Sequence, residues 1–169
     1  PAVKIGLPPK LSRVERALRT VGMGKRVDEL VTTMNRAAEA AVPEASALLV
    51  DAARKMSVQD AKGILTGESD AATQYFRRTT SEQLAARLLP IVKRATAQTK
   101  VAESYNKFAG SAASMGLIDK KDADLDAYIT QKALDAVFLK MADEERAIRK
   151  DPVRAGTSIV KRVFGVRLP

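Results

Sequence analysis

An all-α, single-domain bundle of six to eight helices, several of them kinked at proline and with no sheet, is the fold this sequence predicts. Three observations predict it. Apolar residues recur every three or four positions in segment after segment, the spacing that lines one face of a helix. Alanine occurs 28 times against seven aromatic residues, a balance that suits packed helices rather than sheets, which favour β-branched and aromatic side chains. No stretch of useful length alternates apolar and polar residues, so no strand is expected. With 169 residues, 46% of them hydrophobic, the chain can build one shared core and is small for two.

The elements follow in order. Residues 1–11, PAVKIGLPPKL, form an extended lead, because Pro8 and Pro9 oppose helix; residues 12–169 form the helical domain. Ser12 with Glu15 has the spacing of a capping box, and the helix it opens carries Val14, Leu18 and Val21 on one face before stopping at Gly22-Met23-Gly24. Val27, Leu30, Val31, Met34, Ala38 and Ala41 mark a helix over 25–41. Pro43 either kinks it or sits in the first turn of a following helix over 44–55. Ser57 with Asp60 starts a short helix, 58–65, that ends at Thr66-Gly67. Ser69 is placed to cap a helix over 70–78, with Asp70 at its positive end. Thr79 with Glu82 forms a second capping pair, opening a helix through Leu84, Leu88, Ile91, Val92 and Ala95 that Pro90 bends.

A further helix covers 101–114 and closes at Gly116. The strongest pattern comes next. Asp122, Asp124 and Asp126 stand at its start and Arg146, Arg149 and Lys150 at its end, both groups matched to the helix dipole. Leu125, Ile129, Ala133, Leu134, Val137, Phe138 and Met141 cover a broad stripe, so this helix is expected to sit among neighbours. Asp151-Pro152 stops it, and a short basic helix, 157–165, finishes the chain.

The formal charge is +9, and its distribution is uneven. Residues 1–26 hold seven basic residues and one acid, Glu15; residues 146–169 hold seven and one, Asp151. Each end is therefore +6 and the middle is −3. Such ends suit phosphate, anionic lipid or an acidic partner, and peripheral membrane contact is compatible with them. There is no cysteine and no histidine, which removes disulfides, thiol nucleophiles, imidazole or thiolate metal sites and the usual general base. No apolar run approaches the ~18 residues of a membrane span. The chain begins with Pro1 rather than Met, so a processed product with a targeting segment upstream is expected.

Motifs for chemistry mostly fail on spacing. Gly22-Met23-Gly24-Lys25 lacks the earlier glycine of a phosphate loop, and Arg26 follows where Ser or Thr belongs. Asp122, Asp124 and Asp126 resemble half a calcium loop, but Ala127 and Ala133 occupy the positions that need Gly and Glu. Carboxylates such as Glu39 and Asp70 are the remaining acid–base candidates, and no spacing pairs them. No catalytic residue, cofactor or metal is expected, and a non-enzymatic protein is the reading. Nucleic-acid binding rests on charge alone, without base-reading side chains.

The candidate site lies in GESDAATQYFRRTT, residues 67–80. On a helix starting near Asp70, Phe76 faces the core and Tyr75 the edge, with Gln74, Arg77 and Arg78 alongside. A phenol, an amide and two guanidiniums around a buried ring suit an anionic ligand. The competing explanation is that the two arginines satisfy the carbonyls at the end of that helix, or pair with Glu39, Glu44 or Glu68. Asn35 and Arg36, beside Glu39, form a second polar cluster with the same ambiguity.

Five stretches, VGMGKRVDELVTTMNRAAEAAVPEA (21–45), SDAATQYFRRTT (69–80), LPIVKRAT (89–96), KALDAVF (132–138) and IRKDPV (148–153), resemble in order the bacterial family called domain of unknown function 4197. The resemblance implies export, to the periplasm of a Gram-negative bacterium, and implies no activity, cofactor or catalytic residue. The function expected is binding of an anionic or amphiphilic ligand, a lipid or an envelope component, at Gln74, Tyr75, Arg77 and Arg78 with Asn35 and Arg36 contributing. The alternative is an interaction or scaffold protein whose basic ends engage nucleic acid or an acidic partner.

Overall fold

The computed structural model describes residues 4–97 and 100–153. Over these the chain is all helix and loop, with no strand. Six α-helices follow one another: α1 (Ser12–Thr20), α2 (Gly24–Arg54), α3 (Val58–Thr66), α4 (Ala71–Thr96), α5 (Val101–Ser114) and α6 (Leu125–Lys150). The basic helix expected over 157–165 lies outside the described residues.

Helices α2, α4 and α6 pack against one another and form the core. The α2 contribution is Met34 with Ala37, Ala38, Ala41 and Ala45; α4 gives Phe76, Leu84, Leu88 and Val92; α6 gives Leu125, Ile129, Leu134 and Phe138. Alanines on the inner face of α2 leave room for the larger side chains of its two partners, which is how an alanine-rich helix reaches close packing. On α4 the buried positions step by four, Phe76, Thr80, Leu84, Leu88, Val92 and Thr96. Thr73 meets Glu145 near the end of α6, while Thr96 meets Asp126 near its start. These two helices are therefore antiparallel.

Two proline predictions resolve toward continuity. Pro43 lies inside a single 31-residue α2, and Pro90 inside a 26-residue α4. Burial of the flanking residues outweighs the one hydrogen bond each proline removes. The break expected at Thr79 is also absent. Thr79 donates to the Tyr75 carbonyl, Thr80 to Phe76 and Ser81 to Arg77; hydroxyls bonded four residues back are compatible with an unbroken helix. Ser69 does not cap α4. Its N-cap residue is Asp70, which makes no side-chain capping bond. Ser12 does not cap α1 either, because a 3-10 turn over Pro9–Leu11 runs straight into that helix and Ser12 is already helical. The capping box at Ser57 and Asp60 forms as expected.

Gly22 ends α1 with φ +83°. Met23 N–H bonds to Leu18 C=O at 2.9 Å and Gly22 N–H to Arg19 C=O at 3.2 Å, the paired bonds of a Schellman motif. Gly116, φ +71°, ends α5 in the same way, with Leu117 N–H on Ala112 C=O and its own N–H on Ala113 C=O.

Residues 4–8 form a strap across α2 and α6. The Ile5 N–H donates to Asn35 Oδ1 at 2.9 Å, and Asn35 Nδ2 donates to the Ile5 carbonyl at 2.9 Å and to Val31 C=O at 2.7 Å. Tyr128 OH donates to Gly6 C=O at 2.8 Å, and burial, then the Asp122 charge, push its phenol up to about 12. Asn35→Ala leaves the Ile5 N–H and C=O without partners, at a cost of about 1–3 kcal/mol. Hydrogen exchange at Ile5 is expected to accelerate in that variant. Unchanged exchange would mean that apolar burial of Ile5 and Pro8 holds the strap by itself.

Candidate functional site

The α4 cluster forms a wall of exposed polar groups beside a buried ring. Phe76 is buried and Tyr75 half-buried beside it, their rings edge to face at 5.3 Å and 82°. Arg77 is exposed and lies over the Phe138 ring, 5.1 Å from its centroid. Arg78 is exposed and lies 5.9 Å from the Tyr75 centroid. Gln74 is exposed and reaches Asp70 at 3.4 Å. The helix runs on to Thr96, so neither arginine sits at a helix end with free carbonyls. Glu44 pairs with Arg87 instead, at 3.1 Å.

The N-terminal turn of α3 leans on the same wall. The Ser57 hydroxyl, then its N–H, hold the Asp60 carboxyl below its ordinary pKa, with Tyr75 and Arg78 adding to the effect. Desolvation and then Asp60 push the Tyr75 phenol up. The polar groups of this cluster thus answer one another: cations on ring faces, phenol against carboxylate.

Asn35 and Arg36 stand elsewhere. Both line an open polar cleft of about 740 Å³ between the strap, α1 and α2, with Lys4, Arg19, Asp28 and Glu39. Asn35 is committed to the strap by three hydrogen bonds. Arg19 bridges Glu15 at 3.0 Å and Asp28 at 2.8 Å, which ties α1 to α2 across the cleft.

A second cavity, about 420 Å³, opens between the strap, α1, α2 and α5. Its walls are Leu11, Val14, Leu18, Val27, Leu30 and Phe108. Glu15, Arg26, Glu29 and Lys100 stand among the charged groups lining it. Helix α1 is the cause of this groove. Val14 and Leu18 recur at i and i+4 while Arg13, Arg16 and Arg19 take the other side, yet none of its residues is fully buried. Its apolar face roofs the groove instead of filling it. Leu7 and Glu15 line both cavities. Tyr105 closes the groove toward the core, its hydroxyl donating to Asp122 C=O at 2.8 Å, and burial pushes its phenol well up. Neither cavity is lined by any residue from 74 to 78.

A family model described as "Protein of unknown function (DUF4197)" matches residues 1–165. The chain belongs to that family. No curated protein and no solved structure matches it. Among the described residues, no helix of this DUF4197 member is long and apolar enough to cross a membrane.

The residues that sequence reasoning missed in this family member are those of the groove. Val14 and Leu18 were legible as an apolar face, and Val27 and Leu30 as another. What faced them was not, because Phe108 and Tyr105 come from a segment some eighty residues away. The one available signal was α1 itself, a nine-residue amphipathic helix too short to be stable without a neighbour.

Proposed function

We propose that this protein is a non-enzymatic binder of an amphiphile, a lipid or envelope component, whose apolar chain lies in the groove between α1, α2 and α5. The periplasmic setting implied by the family resemblance supplies ligands of that kind. One observation carries the reading: a 420 Å³ opening with aliphatic and aromatic walls, roofed by a helix none of whose residues is fully buried. Its volume falls within the roughly 300–1,000 Å³ usual for small-molecule sites. Apolar surface left open to water is costly at about 25 cal/mol per Å², so an acyl chain entering the groove gains free energy by covering it. Two titratable groups at the groove are held in other bonds, Glu15 by Arg19 and Tyr105 by the Asp122 carbonyl.

A fluorescent fatty-acid analogue tests this. Ser104 is exposed and lines the groove, so Ser104→Trp sets an indole across it without opening the core. The wild-type protein is expected to enhance probe emission saturably, and the variant to lose at least about tenfold in affinity, equal to 1.4 kcal/mol. The double variant Arg77→Gln, Arg78→Gln is expected to bind as wild type; loss of binding there, with Ser104→Trp unaffected, moves the site to α4. Salt separates this reading from a scaffold that tracks phosphates with its basic ends. Such a scaffold loses about 10³ or more in affinity between about 50 and 200 mM salt with six contacts, whereas apolar insertion changes little.

A further inference from the structure

Resting on that reading, we infer that the polar cleft is the head-group subsite of the same ligand, and that it takes a phosphate carrying an ammonium, as in a single-chain zwitterionic phospholipid. The two cavities are neighbours, with Leu7 and Glu15 belonging to both walls. An amphiphile with its chain in the apolar groove thus meets a cleft lined by charge on the other side of that divide. The charges of the cleft sort into two groups. Arg19, Glu15 and Asp28 satisfy one another through bonds of 2.8–3.0 Å and are structural. Lys4, Arg36 and Glu39 line the same cleft, and among the described residues none of them forms an ion pair.

Two cations and one carboxylate remain to meet a ligand. A guanidinium and an ammonium match a phosphate, the first by its planar fork and the second as a point charge. Glu39 lies three residues from Arg36 on α2, one turn along the same side, and suits an ammonium placed a short tether away. The cleft lining is balanced, with Lys4, Arg19 and Arg36 against Glu15, Asp28 and Glu39, which favours a zwitterion over a strongly anionic head. Its 740 Å³ accommodates a phosphoester with its tether. Asn35, whose amide is bonded to Ile5, positions Lys4 by holding the strap and does not contact the head.

Three probes with one common acyl chain separate this inference from the reading beneath it: the free fatty acid, lysophosphatidylglycerol and lysophosphatidylethanolamine. Binding is measured by displacement of the fluorescent fatty-acid analogue. The ethanolamine lipid is expected to bind at least about tenfold tighter than the fatty acid, since it adds charge-assisted hydrogen bonds at both ends of its head group. The paired substitution Lys4→Gln, Arg36→Gln is expected to remove that advantage, bringing the ethanolamine lipid to the affinity of the fatty acid. Glu39→Gln is expected to abolish the preference for ethanolamine over glycerol heads alone. Fatty acid bound as tightly as both phospholipids, or a preference that survives Lys4→Gln, Arg36→Gln, overturns the head-group subsite and leaves the groove standing. A groove that takes none of the three probes overturns both.

Discussion

Glu145→Ala is expected to lower thermal stability more than the loss of any other carboxylate described above. The Glu145 side chain is only 10% exposed, and every one of its contacts is a donor. Oε1 accepts from the Ala72 N–H and Oε2 from the Thr73 N–H, each at 2.8 Å, and the Thr73 hydroxyl also donates to Oε2 at 2.8 Å. Arg149 adds Nε at 3.1 Å and Nη2 at 2.9 Å. A carboxylate from α6 therefore caps the N-terminus of α4, the task the sequence suggested for Ser69. Arg149 Nη2 also donates to Ile64 C=O at 2.6 Å, so the same pair fastens the end of α3. Removing the acid strands two helix N–H groups and a half-buried guanidinium. Leaving these part-buried donors without an acceptor costs about 1–3 kcal/mol or more, and 3 kcal/mol shifts the midpoint of a chain this size by roughly 6–12 °C. Calorimetry decides it: a midpoint within about 2 °C of wild type, under 1 kcal/mol, would show that water replaces the cap.

The same group gives the pH dependence a direction. Desolvation alone would raise the Glu145 pKa, but the N–H groups of Ala72 and Thr73, the Thr73 hydroxyl and Arg149 outweigh it, and the net shift is downward from 4.5. A carboxyl whose folded pKa is depressed contributes stability that is fully present above its unfolded value and is lost as pH falls through the folded one. Stability is therefore expected to drop as the pH goes below about 4.5. The Glu145→Gln variant, less stable above that pH and converging on wild type below it, should show a shallower drop over that interval in urea titrations.

Phe138→Ala is expected to cost about 3–5 kcal/mol, the range for deleting a buried ring. Phe138 is 2% exposed, among the largest fully buried side chains, and belongs to the cluster where α2, α4 and α6 meet. It also seats Arg77, whose guanidinium covers its face. A double-mutant cycle with Arg77→Ala should return a coupling of about 0.5–1 kcal/mol, the worth of an exposed cation over a ring. Zero coupling would make Arg77 a free surface charge. Coupling in that range gives Arg77 a structural task that needs no ligand.

Much of the bundle was legible because its signals are local. The α6 stripe from Leu125 to Phe138, the Ser57–Asp60 box and the glycine stop at Gly116 each lie within a few residues of one another, and each formed. Errors came where a local rule had a distant competitor. Thr79 with Glu82 had cap spacing, yet core burial of Phe76 and Leu84 on both sides carried α4 through. For Tyr75, Arg77 and Arg78 the sequence showed the side chains but not their neighbours. Phe138, 61 positions from Arg77, and Asp60, on a different helix, supply partners that spacing along one helix cannot reveal.

The sequence alone determined which segments are helical, which face of each is apolar, and that charge gathers toward the chain ends, since periodicity and composition act within a few turns. Only the tertiary structure decided that Glu145 caps α4, that Asn35 clasps the strap, and that α1 roofs a groove instead of filling it. Those outcomes depend on which distant side chains arrive at the same place. Packing three long helices settles that, because one helix cannot shift without opening the others to water.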